Sequence, residues 1–185
     1  MFSPYKSMLN FDEFVFKISV IGDGGVGKTS LIKRYTKDTF QKDYIKTIGA
    51  QFSRFSKNID GNKVHLIFWD IAGQDFLFLH PLFYKESKAC IIVYSLEEND
   101  LGIESFNHIN DWHNELQNFC GNIPVVLFGN KVDLIEKDQL DLLPIQNMIK
   151  KRKISNFYLT SAKTGEGVKK AFNAIIEDLY KKSIE

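Results

Sequence analysis

The sequence contains little cysteine, proline and arginine, and it has no long apolar run. Its two cysteines, Cys90 and Cys120, are too few and too widely separated for a disulfide framework or a zinc-binding spacing. No apolar run approaches the roughly 20 residues of a transmembrane helix, and the first residues lack the apolar core of a secretory signal. These absences argue against a disulfide-rich secreted scaffold and a membrane-spanning protein, and we expect a cytoplasmic location.

Net charge is also close to absent. A formal charge of +1 provides no electrostatic basis for a nucleic-acid partner, and Phe2 excludes N-myristoylation at that end. The hydrophobic content of 44% is ordinary for a globular chain, and 185 residues are enough for one well-formed core. We expect a tail or lead-in over residues 1–13 and a single domain over residues 14–182.

A glycine-rich segment organises the chain. Residues 22–29 read Gly-Asp-Gly-Gly-Val-Gly-Lys-Thr, which fits the phosphate-loop pattern G-x-x-x-x-G-K-[ST]. A β-branched apolar run precedes it and a helical pattern follows, so backbone N–H groups can form an anion nest at a helix N-terminus. Lys28 can then reach the β- and γ-phosphates, and the Thr29 hydroxyl can bind Mg²⁺. A chance glycine turn is the alternative, and the motif alone does not identify the base.

Strand-like and helix-like segments alternate along the rest of the chain. This alternation predicts an α/β fold with a mainly parallel, doubly wound sheet, to which a hairpin at Asp60-Gly61 adds one antiparallel edge strand. A helix is predicted over residues 105–119, with one apolar face formed by Phe106, Ile109, Trp112, Leu116 and Phe119. Pro144 delays or bends the helix predicted over residues 139–152. Ligands of such sheets bind beyond the carboxyl ends of the strands, and the remaining motifs all fall there.

The first of these motifs is residues 70–74, Asp-Ile-Ala-Gly-Gln. Asp70 can hold Mg²⁺ directly or through water. Gly73 can bring its N–H close to a γ-phosphate because it has no side chain, and Gln74 can orient an attacking water. A polar loop without catalytic function is the alternative for this segment.

Two further motifs indicate guanine. The Asp133 carboxylate can accept hydrogen bonds from the N1–H and 2-amino groups of guanine, which adenine lacks. Asn130 can bridge to the phosphate loop, and the Lys131 stem can cover one face of the base. After the last predicted strand, the Ala162 N–H can bind the guanine oxygen and Ser161 can support Asp133. A helix-capping loop is the alternative for residues 130–133.

Taken together, the four motifs resemble those of the Ras superfamily of small GTPases over about residues 14–180, and the wording of residues 47–49, 69–74 and 105–107 is similar to the Rab branch. The resemblance implies a three-layer P-loop NTPase fold, the G domain, with a mostly parallel six-stranded sheet, one antiparallel edge strand and about five helices. It also implies that Thr47 binds Mg²⁺ and the γ-phosphate, that Phe40 stacks on guanine and that Tyr44 covers the phosphates. A core position is the alternative for Phe40.

The expected site residues fall into three groups. Gln74 and Lys28 are the expected catalytic residues, and Thr29, Thr47 and Asp70 are the expected Mg²⁺ ligands. The expected nucleotide-binding residues are Gly24, Gly25, Val26, Gly27, Lys28, Thr29, Ser30, Phe40, Tyr44, Thr47, Gly73, Asn130, Lys131, Asp133, Ser161, Ala162 and Lys163.

We therefore expect a switch that binds GTP or GDP with Mg²⁺, hydrolyses GTP slowly and meets effector, GTPase-activating and exchange-factor proteins through residues 40–52 and 73–84. No arginine in the switch loops can assist hydrolysis in cis. The main alternative is a scaffold that is constitutively nucleotide-bound; a phosphotransferase is disfavoured because no acceptor site is visible.

Two features depart from the family pattern. Small GTPases of this type carry C-terminal cysteines for prenylation, and none follows Cys120 here. Either the natural chain is longer, or it reaches membranes by another route, or it does not associate with them. The apolar segment at residues 76–79 either packs internally or presents a hydrophobic partner surface.

Overall fold

We describe the protein from a computed structural model, which covers residues 12–40, 47–72 and 80–185. The strands of this region are β1 (Glu13–Ile21), β2 (Ala50–Ile59), β3 (Asn62–Ile71), β4 (Ala89–Ser95), β5 (Val125–Asn130) and β6 (Asn156–Thr160). Its α-helices are α1 (Lys28–Lys37), α2 (His80–Tyr84), α3 (Asp100–Asn107), α4 (Ile109–Cys120), α5 (Leu143–Arg152) and α6 (Val168–Ile184).

The strands of the described region form one six-stranded sheet in the order β2-β3-β1-β4-β5-β6. All neighbouring pairs are parallel except β2 and β3, which form an antiparallel hairpin. The hairpin turns at Asp60 and Gly61, whose φ angles of 50° and 86° match the two left-handed positions of a tight turn. The predicted sheet, with one antiparallel strand at its edge, is confirmed.

Helices cover both faces of the sheet and bury two apolar cores. On one face, Leu31 and Tyr35 of α1 and Phe172 of α6 pack against Phe68 and its neighbours on the central strands. The Tyr35 and Phe172 rings stack with centroids 4.6 Å apart. On the other face, helices α4 and α5 cover a core that includes Cys90, so the three-layer architecture is present.

The segment predicted as one helix over residues 105–119 differs in the structure. Helix α3 begins five residues earlier, at Asp100, because the Asn99 side chain accepts a hydrogen bond from the Gly102 N–H at 3.0 Å and caps it. An interruption at His108 then separates α3 from α4. The prediction that Phe119 joins the buried face is wrong, since its side chain is 49% exposed.

Two other helix predictions can be compared directly. Helix α5 begins at Leu143 and has Pro144 in its first turn, where the missing N–H costs nothing, so the expected late start is confirmed. None of the helices in the described part of the chain has the length and apolarity that crossing a lipid bilayer requires.

Candidate nucleotide-binding site

The phosphate loop connects β1 to α1 and is tightly constrained by its neighbours. Gly27 has a φ of 101°, and a Cβ there would lie 2.3 Å from Nδ2 of Asn130. Gly22 has a φ of 131°, and its Cβ would lie 2.1 Å from the carbonyl oxygen of Val93. Both positions therefore require glycine for conformation and for space. The glycines of the motif let the loop pack against β4 and β5.

Lys28 is buried at the start of α1, and its ammonium group crosses back over the loop. Nζ donates hydrogen bonds to the carbonyl oxygens of Gly22 at 2.7 Å and Asp23 at 2.8 Å. Burial lowers the pKa of Lys28 to about 8, against the raising influence of Asp70 and Asp23. The ammonium is held in place by two of its three N–H groups, and it remains mostly protonated at neutral pH.

Three oxygen-bearing side chains meet beside this lysine. The Thr29 hydroxyl donates a hydrogen bond to Oδ2 of Asp70, and it lies 3.1 Å from the hydroxyl of Thr47. Asp70 is buried at the end of β3, and its Oδ1 makes no hydrogen bond within the described residues. Burial raises the pKa of Asp70, although the Thr29 hydrogen bond and the Lys28 charge oppose this effect.

This oxygen cluster fits a small divalent cation. An orphaned buried carboxylate oxygen is costly unless a partner satisfies it, and a hard cation such as Mg²⁺ takes oxygen ligands of this kind. Within the described residues no group of three histidine, cysteine or acidic side chains could hold a metal. The cluster therefore resembles a site where substrate oxygens and water complete the coordination.

Asn130, the last residue of β5, connects three loops at this rim. Its Nδ2 donates to the carbonyl oxygen of Val26 at 2.8 Å. Its Oδ1 accepts from the N–H of Ala162 at 3.2 Å and from the hydroxyl of Thr160 at 3.3 Å. The bridge to the phosphate loop that the sequence suggested is present, and it extends to the loop after β6.

Asp133 lies beyond Asn130 and is held by that same loop. The Ser161 hydroxyl donates to Oδ1 of Asp133 at 2.5 Å, and Nζ of Lys163 lies 3.6 Å from Oδ2. Ser161 in turn accepts from the N–H of Thr164 at 3.0 Å. The carboxylate is thus fixed in orientation, as a recognition group for a flat base needs to be.

Phe40 and the loop residues complete the described part of the site. The Phe40 side chain is 38% exposed, which argues against the alternative of a core position. Of the predicted site residues, Tyr44, Gly73 and Gln74 lie outside the described residues. The apolar segment at residues 76–79 also lies outside them.

Two residues of the site were missed by sequence reasoning. The Arg34 guanidinium donates to the carbonyl oxygens of Ala162 at 2.8 Å and Lys163 at 2.7 Å. It thus ties α1 to the loop between β6 and α6 (residues 161–167), which we call the base loop. The Glu97 carboxylate forms an ion pair with Lys131 and accepts from the Ser95 hydroxyl at 2.8 Å. Neither residue belongs to a motif, and no local pattern in the sequence indicates the partner.

Comparisons with known proteins agree with this geometry. The model of the Ras family matches residues 17–181. The chain is 37% identical to "Ras-related protein Rab-18-B" of Danio rerio over 167 residues, which cover 88% of this chain and 78% of that protein. It is 35% identical to "Ras-related protein Rab-21" of Bos taurus, with 93% of this chain and 74% of that protein covered.

The chain belongs to the Ras family. As a Rab-like member of that family it is a GTP-binding switch and a GTPase, which hydrolyses GTP to GDP. Ras-family GTPases bind GTP and GDP, generally with Mg²⁺, and work with regulator and effector proteins. The expected family and fold are therefore confirmed, whereas the roles of individual residues stay predictions.

Proposed function

We propose that this Ras-family chain binds guanine nucleotide with Mg²⁺ at the rim described above and reports the presence of the γ-phosphate to partner proteins. The observation that carries the proposal is the convergence of four segments on one rim. Asn130 joins the phosphate loop to the base loop, and Thr29 joins α1 to Thr47 and Asp70. We expect a single ligand bound there to contact all four segments.

The phosphate groups would bind over the glycine loop. Residues 24–30 supply backbone N–H groups at the N-terminus of α1, where the helix dipole favours anions. Lys28 has its third N–H to offer to the β- and γ-phosphates, because two already bind loop carbonyls. The Lys28 charge and the loop together offset the negative charge that develops during phosphoryl transfer.

Mg²⁺ would be held by Thr29, Thr47 and Asp70, the last directly or through water. When bound, the ion supplies electrostatic stabilisation to the phosphate oxygens. The chain's own contribution is to keep two hydroxyls and a buried carboxylate within reach of one another. Thr47 belongs to the first switch segment, so its attachment to this cluster links that segment to the nucleotide state.

The base would lie against Asp133, with Lys131 covering one face and Phe40 stacking on the other. The carboxylate accepts two hydrogen bonds from guanine, and adenine would leave it unpaired. Ser161 and Lys163 orient this carboxylate. The Ala162 N–H, which donates to Asn130 in this structure, is also placed at the loop that faces the base.

Partner proteins would contact residues 40–52 and 73–84, which include both switch segments. Within the described residues, Ile48 is 77% exposed and Phe52 is 60% exposed. The Phe52 ring lies 6.1 Å from Trp69, which lies 5.7 Å from Phe83. This aromatic row is exposed at Phe52 and half-buried at Trp69 and Phe83, and its position beside the nucleotide-sensing segments fits effectors and regulators of membrane traffic, at the surface of membranes or in the cytoplasm.

The rate of GTP hydrolysis, measured in the unmodified chain and in Gln74→Leu, tests this proposal. We expect single-turnover GTP hydrolysis at about 10⁻⁴–10⁻² s⁻¹, because no arginine assists in cis. Gln74→Leu should slow it at least about tenfold and leave GTP affinity unchanged, because the side chain aligns water and holds no phosphate. Tyr44 and Gly73 would close over the phosphates in the GTP state.

The control is capture of partners by the two loaded forms. Protein loaded with a non-hydrolysable GTP analogue should retain partners that the GDP form releases. Equal capture by both forms, or fast hydrolysis by the isolated chain, would contradict the proposal and favour a constitutive scaffold.

A further inference from the structure

The phosphate loop contains a buried carboxylate to which the function above gives no role. Asp23 is the second residue of the glycine motif and is 5% exposed. Its carbonyl oxygen accepts the hydrogen bond from Lys28 described above. The backbone of Asp23 thus helps to hold the phosphate-binding ammonium, while its side chain points to a different part of the protein.

Two side chains from the corner between α3 and α4 bind this carboxylate. Nδ1 of His108 lies 2.6 Å from Oδ2 of Asp23, and the indole Nε1 of Trp112 donates to Oδ1 at 2.7 Å. Trp112 is buried, whereas 37% of the His108 side chain is exposed. His108 is the residue at which the helix is interrupted, so this break places both groups against the loop.

The charge of His108 matters because of what the loop binds. An ionised Asp23 beside a phosphate site repels the anionic nucleotide, and in a partly buried setting such repulsion is only weakly screened. Protonated His108 offsets the charge of Asp23. When His108 is neutral, the Trp112 hydrogen bond and the Lys28 ammonium are left to compensate that charge, and we expect the Lys28 ammonium to bind the phosphates.

The groups around His108 favour its charged form. The hydrogen bond to Asp23 raises the pKa of His108, the charges of Asp23, Asp111 and Glu104 add to this effect, and partial desolvation opposes it. The pKa of the imidazole is therefore raised above its ordinary value. Lys28 donates to the backbone carbonyl oxygen of Asp23, and the hydrogen bonds of the Asp23 carboxylate go to His108 and Trp112.

We infer that His108 and Trp112 are positioning residues of the phosphate loop, and that the proton on His108 prolongs the residence of the bound guanine nucleotide. The inference rests on the proposed nucleotide site. Its sign follows from linkage: an anionic ligand near Asp23 and His108 favours the protonated pair, so binding takes up protons. Affinity is therefore highest below the His108 pKa and falls as pH rises through it.

The test is the release rate of the fluorescent analogue mant-GDP, chased with excess GDP in saturating Mg²⁺, from about pH 5.5 to about pH 8. In the unmodified chain release should accelerate about three- to tenfold across the His108 titration, the factor that a coupling of up to one pKa unit produces. His108→Asn retains a donor for Asp23 without the charge. It should lose this step and release nucleotide at the high-pH rate throughout.

Two further variants separate charge from structure. In Asp23→Asn the amide can accept from Trp112 and donate to neutral His108, so the step should vanish while release stays slow. His65→Asn is the matched control, because Nδ1 of His65 on β3 lies 2.9 Å from the Ser56 hydroxyl on β2. This variant should retain the full pH profile. Asp23 also raises the pKa of Lys28, so the comparison that isolates the His108 charge is between the unmodified chain, His108→Asn and His65→Asn, which all keep Asp23.

The outcomes distinguish the inference from the proposed function. If mant-GDP does not bind the unmodified chain at all, the nucleotide site itself is wrong. If it binds and the unmodified and His108→Asn profiles coincide, only the inference is overturned. A flat profile with slow release in His108→Asn would also overturn it, because the unneutralised carboxylate would then have no effect.

Discussion

At the scale of single residues, the motifs predict contacts within the site better than contacts that support it. The bridge from Asn130 to the phosphate loop and the contact between Ser161 and Asp133 were predicted, because each residue belongs to a motif of fixed spacing. Glu97, Arg34 and His108 were not, since their partners lie 34, 128 and 85 residues away in the chain. Only the fold brings such pairs together.

Glu97 gives the most direct prediction at this scale. Glu97→Gln removes the charge that pairs with Lys131, the residue we propose to cover the base. GDP release should accelerate about two- to fivefold, because a partly exposed ion pair contributes about 0.5–1 kcal/mol. Release of mant-GDP measures this. Glu97 is also fixed by the Ser95 hydroxyl, which limits relaxation of the loop in the variant.

The chain offers a matched control in another ion pair at the surface. Glu166 pairs with Lys137, both side chains are about half exposed, and neither residue is among the predicted site residues. Glu166→Gln should therefore leave GDP release unchanged. Equal acceleration in both variants would mean that general surface charge, rather than the position of Lys131, controls release.

At the scale of elements, turn and cap chemistry predicts the boundaries well where one residue decides them. Asp60-Gly61 gave the hairpin and Pro144 the late start of α5. The helix before β5 was harder, because the capping residue Asn99 precedes a stretch without a strong apolar period. The interruption at His108 has no sequence signal, since its neighbours are all compatible with a continuous helix.

The packing of α6 and α4 gives a prediction about stability. Phe172 is 1% exposed, and its ring contacts Tyr35, Phe68 and Phe128 at centroid distances of 4.6, 5.3 and 5.3 Å. Phe172→Ala should lower the free energy of unfolding by about 3–5 kcal/mol, the usual cost of removing a buried ring. Urea unfolding of the GDP-bound protein measures the change.

Phe119 is the control for this helix-packing prediction. Its ring is 49% exposed and lies 6.1 Å from that of Tyr84, so Phe119→Ala should cost less than about 1 kcal/mol. A large loss in Phe119→Ala would mean that α4 is packed as the sequence pattern first suggested, with this ring in the core.

At the scale of the whole molecule, the sequence predicted where the site lies for a general reason. Parallel strands place their carboxyl ends at one edge, so motifs that follow β1, β3, β5 and β6 meet there. The strand order does not follow from local sequence patterns, because it depends on which strands pair across the whole fold. How residues 73–79 respond to the bound nucleotide does not follow from the described residues either, so the catalytic role of Gln74 remains a prediction.

The nucleotide that accompanies the purified protein tests the central claim most directly. Protein isolated in the presence of Mg²⁺ should be denatured and its released nucleotide identified by anion-exchange chromatography. We predict close to one guanine nucleotide per chain, mainly GDP, because bound GTP is hydrolysed during the hours of purification and the GDP that forms stays bound. Adenine nucleotides at that stoichiometry, or a folded chain that holds no nucleotide and does not take up GDP, would contradict the account.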